Sequence, residues 1–182
     1  MRLKPGWRLA LLALVVFVLD QATKLAVQKY LPYGYSGDRE GLIPGFFRLV
    51  HWGNTGAAWS FFSGQNEMLT IVSLLAMLVL FLSRRHFDLH TLGGQLALGL
   101  IFGGIVGNLT DRLRIGHVVD FLYFYVIRRN GEEAGFPAFN VADSAICIGV
   151  GLLFILSWQN ESTEAATQTS PGTKSTPENS RV

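Results

Sequence analysis

The chain has 182 residues, of which 49% are apolar and 15% charged, with a formal net charge of +2. That length holds one domain and leaves no room for a second large soluble core. So small a positive charge makes no case for a nucleic-acid partner, and none is expected, while the single cysteine, Cys147, excludes an internal disulfide.

Arg2, Lys4 and Arg8 precede a first apolar run over residues 9–19. Basic residues followed by an apolar stretch resemble a secretory signal, but a cleavable signal ends in small residues. Here the run meets Asp20-Gln21-Ala22-Thr23-Lys24 and continues through Leu25, Ala26 and Val27, so an uncleaved first helix is expected. Asp20 and Lys24 stand one helical turn apart. One reading is a buried salt bridge that orients the helix, and the other is contact with substrate.

About 40 residues separate this helix from the next, and loops of that length are usually functional. Turn formers crowd residues 32–45. Phe46-Phe47-Arg48-Leu49-Val50-His51-Trp52 then reads as a short strand of aromatic and β-branched residues. In the following Asn54-Thr55-Gly56-Ala57-Ala58, Asn54 is either a turn residue or a hydrogen-bonding group for an extended peptide.

Residues 68–83, 92–109 and 141–158 complete a set of four apolar segments, each close to the ~20 residues that cross a bilayer. Arg84 and Arg85 follow the second segment. His86 and His90 have helical spacing, but with only Asp88 nearby no metal site is expected. Gly99, Gly103 and Gly107, with Gly104, mark a helix-packing seam on the third segment. At its end Asn108 and Arg112 share a face, with Asp111 between them. Arg112 either pairs with Asp111 or a lipid phosphate, or anchors a substrate headgroup through its planar fork. Residues 118–127 read as a second strand. Both strands should form a sheet lying on the outer membrane surface, with Trp52, Trp59, Tyr123 and Tyr125 at headgroup level.

The basic residues at the N-terminus and after the second segment place both termini in the cytoplasm. Arg112, Arg114, Arg128 and Arg129 then fall outside, against the rule, and some need specific partners. The expected architecture is a mainly α membrane protein: four transmembrane helices with a small extracytoplasmic β-sheet platform and loop. Residues 1–158 form the membrane domain. The Ser/Thr/Glu/Pro-rich residues 159–182 read as a disordered polar cytoplasmic tail.

Two acids stand out in this apolar background. Asp120 lies within Val118-Val119-Asp120-Phe121-Leu122, and Asp143 closes Phe139-Asn140-Val141-Ala142-Asp143. A carboxylate at bilayer depth costs roughly 2.5–3.5 kcal/mol on insertion scales. Asp143 has a local explanation, because Asn140 can cap the fourth helix with Asp143 at the capping-box position. Asp120 has none as good. The residues alone leave three classes open: an aspartic dyad sharing a proton, a proton-coupled transporter or channel, and a structural assembly protein.

Five fragments taken together resemble the lipoprotein signal peptidases, signal peptidase II. They are Asp20-Gln21-Ala22-Thr23-Lys24, Asn54-Thr55-Gly56-Ala57-Ala58-Trp59, the run from Gly103 to Arg112, Val119-Asp120-Phe121 and Phe139-Asn140-Val141-Ala142-Asp143. Trp59 stands where the family often has phenylalanine. The resemblance implies an intramembrane aspartic endopeptidase of the bacterial inner membrane. It would remove signal peptides from diacylglyceryl-modified prolipoproteins by cleaving before the lipidated cysteine near the outer face. It implies Asp120 and Asp143 as catalytic residues, and Asp20, Lys24, Asn54, Asn108, Arg112 and Asn140 as substrate contacts. No cofactor or metal is implied, the partners are the lipidated precursor and membrane lipid, the state is monomeric, and globomycin should bind the same site.

Overall fold

The computed structural model describes residues 5–37, 41–56, 64–84, 87 and 91–168. Among these, the elements are α1 (Pro5–Tyr30), β1 (Phe47–Asn54), α2 (Asn66–Ser83), α3 (Leu92–Ile115), β2 (Val118–Ile127), β3 (Glu133–Gly135) and α4 (Val141–Gln168). Ala57, Ala58, Trp59, His86, Asp88, His90 and the tail beyond residue 168 lie outside the described residues.

Each helix boundary has a local cause. Pro32 follows α1, cannot continue the helix and marks its end. Thr91 caps α3 by accepting from the Gly94 amide at 3.2 Å. Gly116 closes α3 with φ +76°, a left-handed conformation that glycine adopts without strain, and its amide bonds to the Arg112 carbonyl at 3.2 Å. α4 runs to Gln168, past the expected boundary at residue 158, because Glu161, Glu164, Ala165 and Ala166 favour helix.

All four helices are long and apolar enough to cross a membrane. Their outward faces are apolar too: Leu14, Val18 and Leu25 on α1, Val72, Leu75 and Val79 on α2, and Phe154 and Ile155 on α4 are exposed. Such a surface would drive aggregation in water, and against lipid tails it is matched.

Helix α3 is the axis of the bundle and packs against both α1 and α4, with α2 joined mainly to α3. The glycine seam lies at these contacts. A Cβ on Gly103 would stand 2.7 Å from the Ala13 carbonyl oxygen and 2.7 Å from Val16 Cβ, both on α1. Gly103→Val therefore has to push the two helices apart. The expected cost is about 1–3 kcal/mol, the usual range for overpacking. It should appear as a lower thermal midpoint in detergent, and an unchanged midpoint would show that the seam is loosely packed.

The sheet is antiparallel, with order β1-β2-β3. Its third strand, Glu133–Gly135, was not expected, and three residues of Glu-Ala-Gly carry no strand pattern. Between β1 and β2 the register sets Trp52 opposite Asp120, with a bulge between Leu49 and Trp52. On the other edge of β2 an isolated bridge joins Leu122 to Phe139. The Phe139 amide and carbonyl both bond to Leu122, at 3.1 and 2.9 Å, and this ties the start of α4 to the strand carrying Asp120.

Tyr123 and Tyr125, expected at headgroup level, do not present their rings outward. Both are buried in the sheet's own core with Val50. The Arg48 guanidinium stacks over their rings at 4.9 and 4.5 Å and pairs with Glu133 at 2.8 and 2.7 Å. A cation over two rings, held by a carboxylate, covers apolar surface that headgroups would otherwise have to cover.

Candidate active site

Asp120 projects from β2 and is 3% exposed. Both of its oxygens accept from side-chain amides: Oδ2 from Asn54 Nδ2 at 2.9 Å, and Oδ1 from Asn140 Nδ2 at 2.8 Å. Asn54 serves both of its sequence readings at once. Its Oδ1 accepts from the Gly56 amide at 2.8 Å, which makes the turn, and its Nδ2 is thereby aimed at Asp120.

Asn140 links the two acids. While its Nδ2 holds Asp120, its Oδ1 accepts from the Asp143 amide at 2.9 Å, and Asp143 Oδ2 accepts from the Asn140 amide at 3.3 Å. This reciprocal pair is the expected capping box at the start of α4. Asp143 Oδ1 accepts in addition from Asn108 Nδ2 at 2.7 Å. The two carboxylates thus converge on one asparagine from opposite sides. The Asp143 charge also favours a proton on Asp120.

Behind Asn108 lies a buried ionic hub. Lys24 Nζ donates to Asn108 Oδ1 at 2.9 Å and pairs with Asp20 at 2.8 Å and Asp111 at 2.9 Å. All three charged groups are at most 2% exposed. Asp20 Oδ1 also accepts from the Ala142 amide at 2.9 Å, and Asp111 Oδ2 from the Val119 amide at 3.2 Å. Asp20 and Asp111 therefore each anchor a backbone amide beside one of the two convergent acids: Ala142 precedes Asp143, and Val119 precedes Asp120. Gln21 joins the hub by donating to Asp111 Oδ1 at 3.1 Å.

The residues expected to touch substrate divide into two groups. Asn54 and Arg112 are half-buried and border the acids. Asp20, Lys24, Asn108 and Asn140 are buried, with their polar atoms engaged by one another, by backbone amides and by the two acids. For Asp20 and Lys24 the salt-bridge reading is the one observed. Arg112 does not pair with Asp111, because Lys24 and Gln21 take both Asp111 oxygens. Its Nη2 donates to the Gly56 carbonyl at 3.4 Å, and its charge interacts with Asp120, Asp143 and Asp111.

Burial, and secondarily the Asp143 charge, push the Asp120 carboxyl up to about 7, against the opposing pull of the Asn54 and Asn140 hydrogen bonds and of Lys24. Near neutral pH it therefore exchanges a proton readily. A carboxyl poised in this way beside a second acid is suited to general acid–base work.

Comparison with known proteins gives one consistent result. The family model described as signal peptidase (SPase) II matches residues 12–159. The lipoprotein signal peptidase of Aeromonas hydrophila is 42% identical over 164 residues, covering 87% of this chain and 92% of that protein. That of Geobacter metallireducens is 39% identical over 155 residues, covering 83% and 91%. A bacterial membrane enzyme solved by the in meso method at 2.3 Å superposes with a TM-score of 0.65 at 30% identity, covering 94% of this chain and 93% of that one. A second, solved at 1.9 Å, gives 0.61 at 35% identity, covering 80% and 89%.

Proposed function

Because the chain belongs to the signal peptidase II family, we propose that Asp120 and Asp143 are the residues with which it cleaves, making it an aspartic endopeptidase. It is a bacterial membrane peptidase that removes signal peptides from prolipoproteins. The observation that carries the aspartic reading is the Asn140 side chain between two acids 23 positions apart in the sequence.

In this reading Asp120 starts protonated and Asp143 ionised. Asp143 is the more exposed of the two and stands at a helix N-terminus, which favours negative charge. Asp143 takes a proton from water as the water oxygen attacks the scissile carbonyl. Asp120 gives its proton to the carbonyl oxygen. When the tetrahedral intermediate collapses, the C–N bond breaks and the leaving amine takes the proton from Asp143. The hydroxyl proton returns to Asp120, and the pair is restored.

The proposed substrate is a precursor carrying diacylglycerol on the cysteine after the cut. Its acyl chains would stay in lipid along the apolar helix faces, and only the peptide would enter. Four crossings put both termini on one side, and Arg2, Lys4 and Arg8 with Arg84 and Arg85 favour the cytoplasm for that side. The acids then work near the outer face, in a monomer, where globomycin would block them.

The test is cleavage of a synthetic lipidated precursor by the purified protein across pH. Activity requires the proton on Asp120, which burial holds up to about 7, so kcat should fall as pH rises through that value. The transporter reading predicts solute-dependent proton flux in liposomes and no peptide product. A rate that stays flat between about pH 6 and pH 9 removes the general-acid role from Asp120.

A further inference from the structure

The sheet has one face sealed by the protein itself and one face left open. Side chains alternate along a strand, so Tyr123 and Tyr125 point one way and Phe124 and Val126 the other. Arg48 and Glu133 cover the tyrosine face. On the opposite face Phe124 packs against Phe46, Phe47 and Phe139, with ring centroids 5.4, 4.8 and 5.9 Å apart, and Phe139 packs against Phe136 at 6.0 Å. None of these rings is buried: Phe46 is 49% and Phe136 56% exposed. Val126 and Ile127, at the end of β2, are exposed as well.

This apolar strip starts at the edge of the bilayer. The apolar stretch of α4, Val141–Gln159, has 19 residues. At 1.5 Å per residue it covers about 28 Å of the ~30 Å of hydrocarbon. Val141 therefore stands at the hydrocarbon boundary, and Phe139, two residues earlier, at headgroup level. From there the strip continues the lipid-facing surface of the helices ring by ring. At its far side the β2–β3 turn presents Arg128 and Arg129, both exposed. The acids beside them are engaged elsewhere: Glu132 Oε2 accepts from Asn130 Nδ2 at 2.7 Å, and Glu133 holds Arg48 through both oxygens. Among the described residues no carboxylate pairs with either arginine. Both lie on the outer side in the proposed orientation, where basic residues are disfavoured without a reason of their own.

We propose that this strip and the β2–β3 turn are a docking surface for the outer lipid leaflet. The phenylalanines and Val126 enter the interface, and Arg128 and Arg129 take the phosphates of anionic phospholipid headgroups. Aromatic rings suit that depth. A guanidinium meets a phosphate with two parallel N–H donors. Apolar surface with cations at its border is the pattern of an element that lies in the interface. The docking bears on cleavage through Phe139, because the next residue, Asn140, bonds to both Asp120 and Asp143. Lipid contact thus sets the depth of the acids, whichever residues cleave.

The test uses the full-length protein carrying Ile127→Trp, with Val126→Trp as a second reporter, in vesicles of equal parts phosphatidylcholine and phosphatidylglycerol. The signal of the four native tryptophans is subtracted using the unaltered protein. Lipid brominated near the headgroup quenches a tryptophan at the interface, and acrylamide quenches one in water. Brominating one lipid at a time reads the local lipid ratio at position 127. Phosphatidylglycerol should be enriched there about fivefold for each arginine, and adding Arg128→Gln with Arg129→Gln should return the ratio to that of the bulk. Quenching by acrylamide alone would put the turn in water and overturn the docking. Equal quenching by both lipids overturns the headgroup site. Protection from acrylamide that vanishes on dilution of the protein in lipid would make a second copy of the chain the occupant. In detergent the double arginine variant should cleave a lipidated precursor at the unaltered rate, and a loss there would put the arginines on peptide instead of lipid.

Discussion

Asp120→Asn is expected to lower cleavage of a lipidated precursor by at least about a thousandfold while the protein still inserts and folds, and Asp143→Asn should do the same. In the proposed mechanism the pair shares a proton, which an amide cannot exchange. The stability of the Asp120 variant offers a second, independent reading of the site. Both Asp120 oxygens face amide donors, Asn54 Nδ2 and Asn140 Nδ2. Neither asparagine can turn over without losing the Gly56 or Asp143 amide from its own oxygen. An Asn at position 120 therefore sets two donors face to face, at a cost of about 1–3 kcal/mol. That deficit should depend on pH. The carboxyl is held up to about 7 in the folded protein, above its unfolded value of 3.8, so the stability it contributes is full at acid pH and is lost as pH rises through about 7. The amide has no such loss. The gap in thermal midpoint between the two proteins should accordingly be wide near pH 5 and narrow near pH 8. A gap that widens with pH would mean that Asp120 is ionised in the folded state throughout, and the acid would have to be Asp143.

Much of this site was legible because its residues break a local rule. Asp120 interrupts a β-branched and aromatic run, and Asp20 and Lys24 interrupt an apolar helix at i,i+4 spacing, so each announces itself without tertiary information. The capping role of Asp143 was equally plain, since a cap is a matter of four consecutive residues. Asp111 was different. Beside Arg112 it looks like that residue's counter-ion, yet its partner is Lys24, 87 positions earlier, across the α1–α3 contact. Nothing in a one-turn window distinguishes the two. The function of Asn54 was half visible for the same reason. Its turn is local, whereas its bond to Asp120 depends on the β1–β2 register, which the bulge between Leu49 and Trp52 shifts. The buried tyrosines follow the same logic. Aromatic residues in a strand do not say which face is covered, and here Arg48 and Glu133 from two other strands cover it.

Lys24→Met is expected to be the most destabilising single change in the bundle, and to be inactive as well. Methionine fills the same space along the helix and keeps its propensity. What it removes is the cation that, among the described residues, pairs with both Asp20 and Asp111, each buried, and the donor that holds Asn108 Oδ1. Replacing a buried pair by apolar groups can be neutral, but removing a single partner leaves uncompensated charge and costs about 3–5 kcal/mol. Activity fails by a separate route. Without Lys24, Asn108 is free to rotate away from Asp143 Oδ1, and Asp143 loses one of the bonds that set its position. The two routes can be pulled apart by adding Asp20→Asn to Lys24→Met. The double variant sheds one stranded charge while still able to accept from the Ala142 amide. Its thermal midpoint in detergent should recover part of the loss, and its turnover should not, because nothing has returned to Asn108. If the double variant is no more stable than the single one, charge balance is not what the hub supplies. If turnover returns with stability, Asn108 does not depend on Lys24, and the chain of contacts from α1 to Asp143 has no part in catalysis.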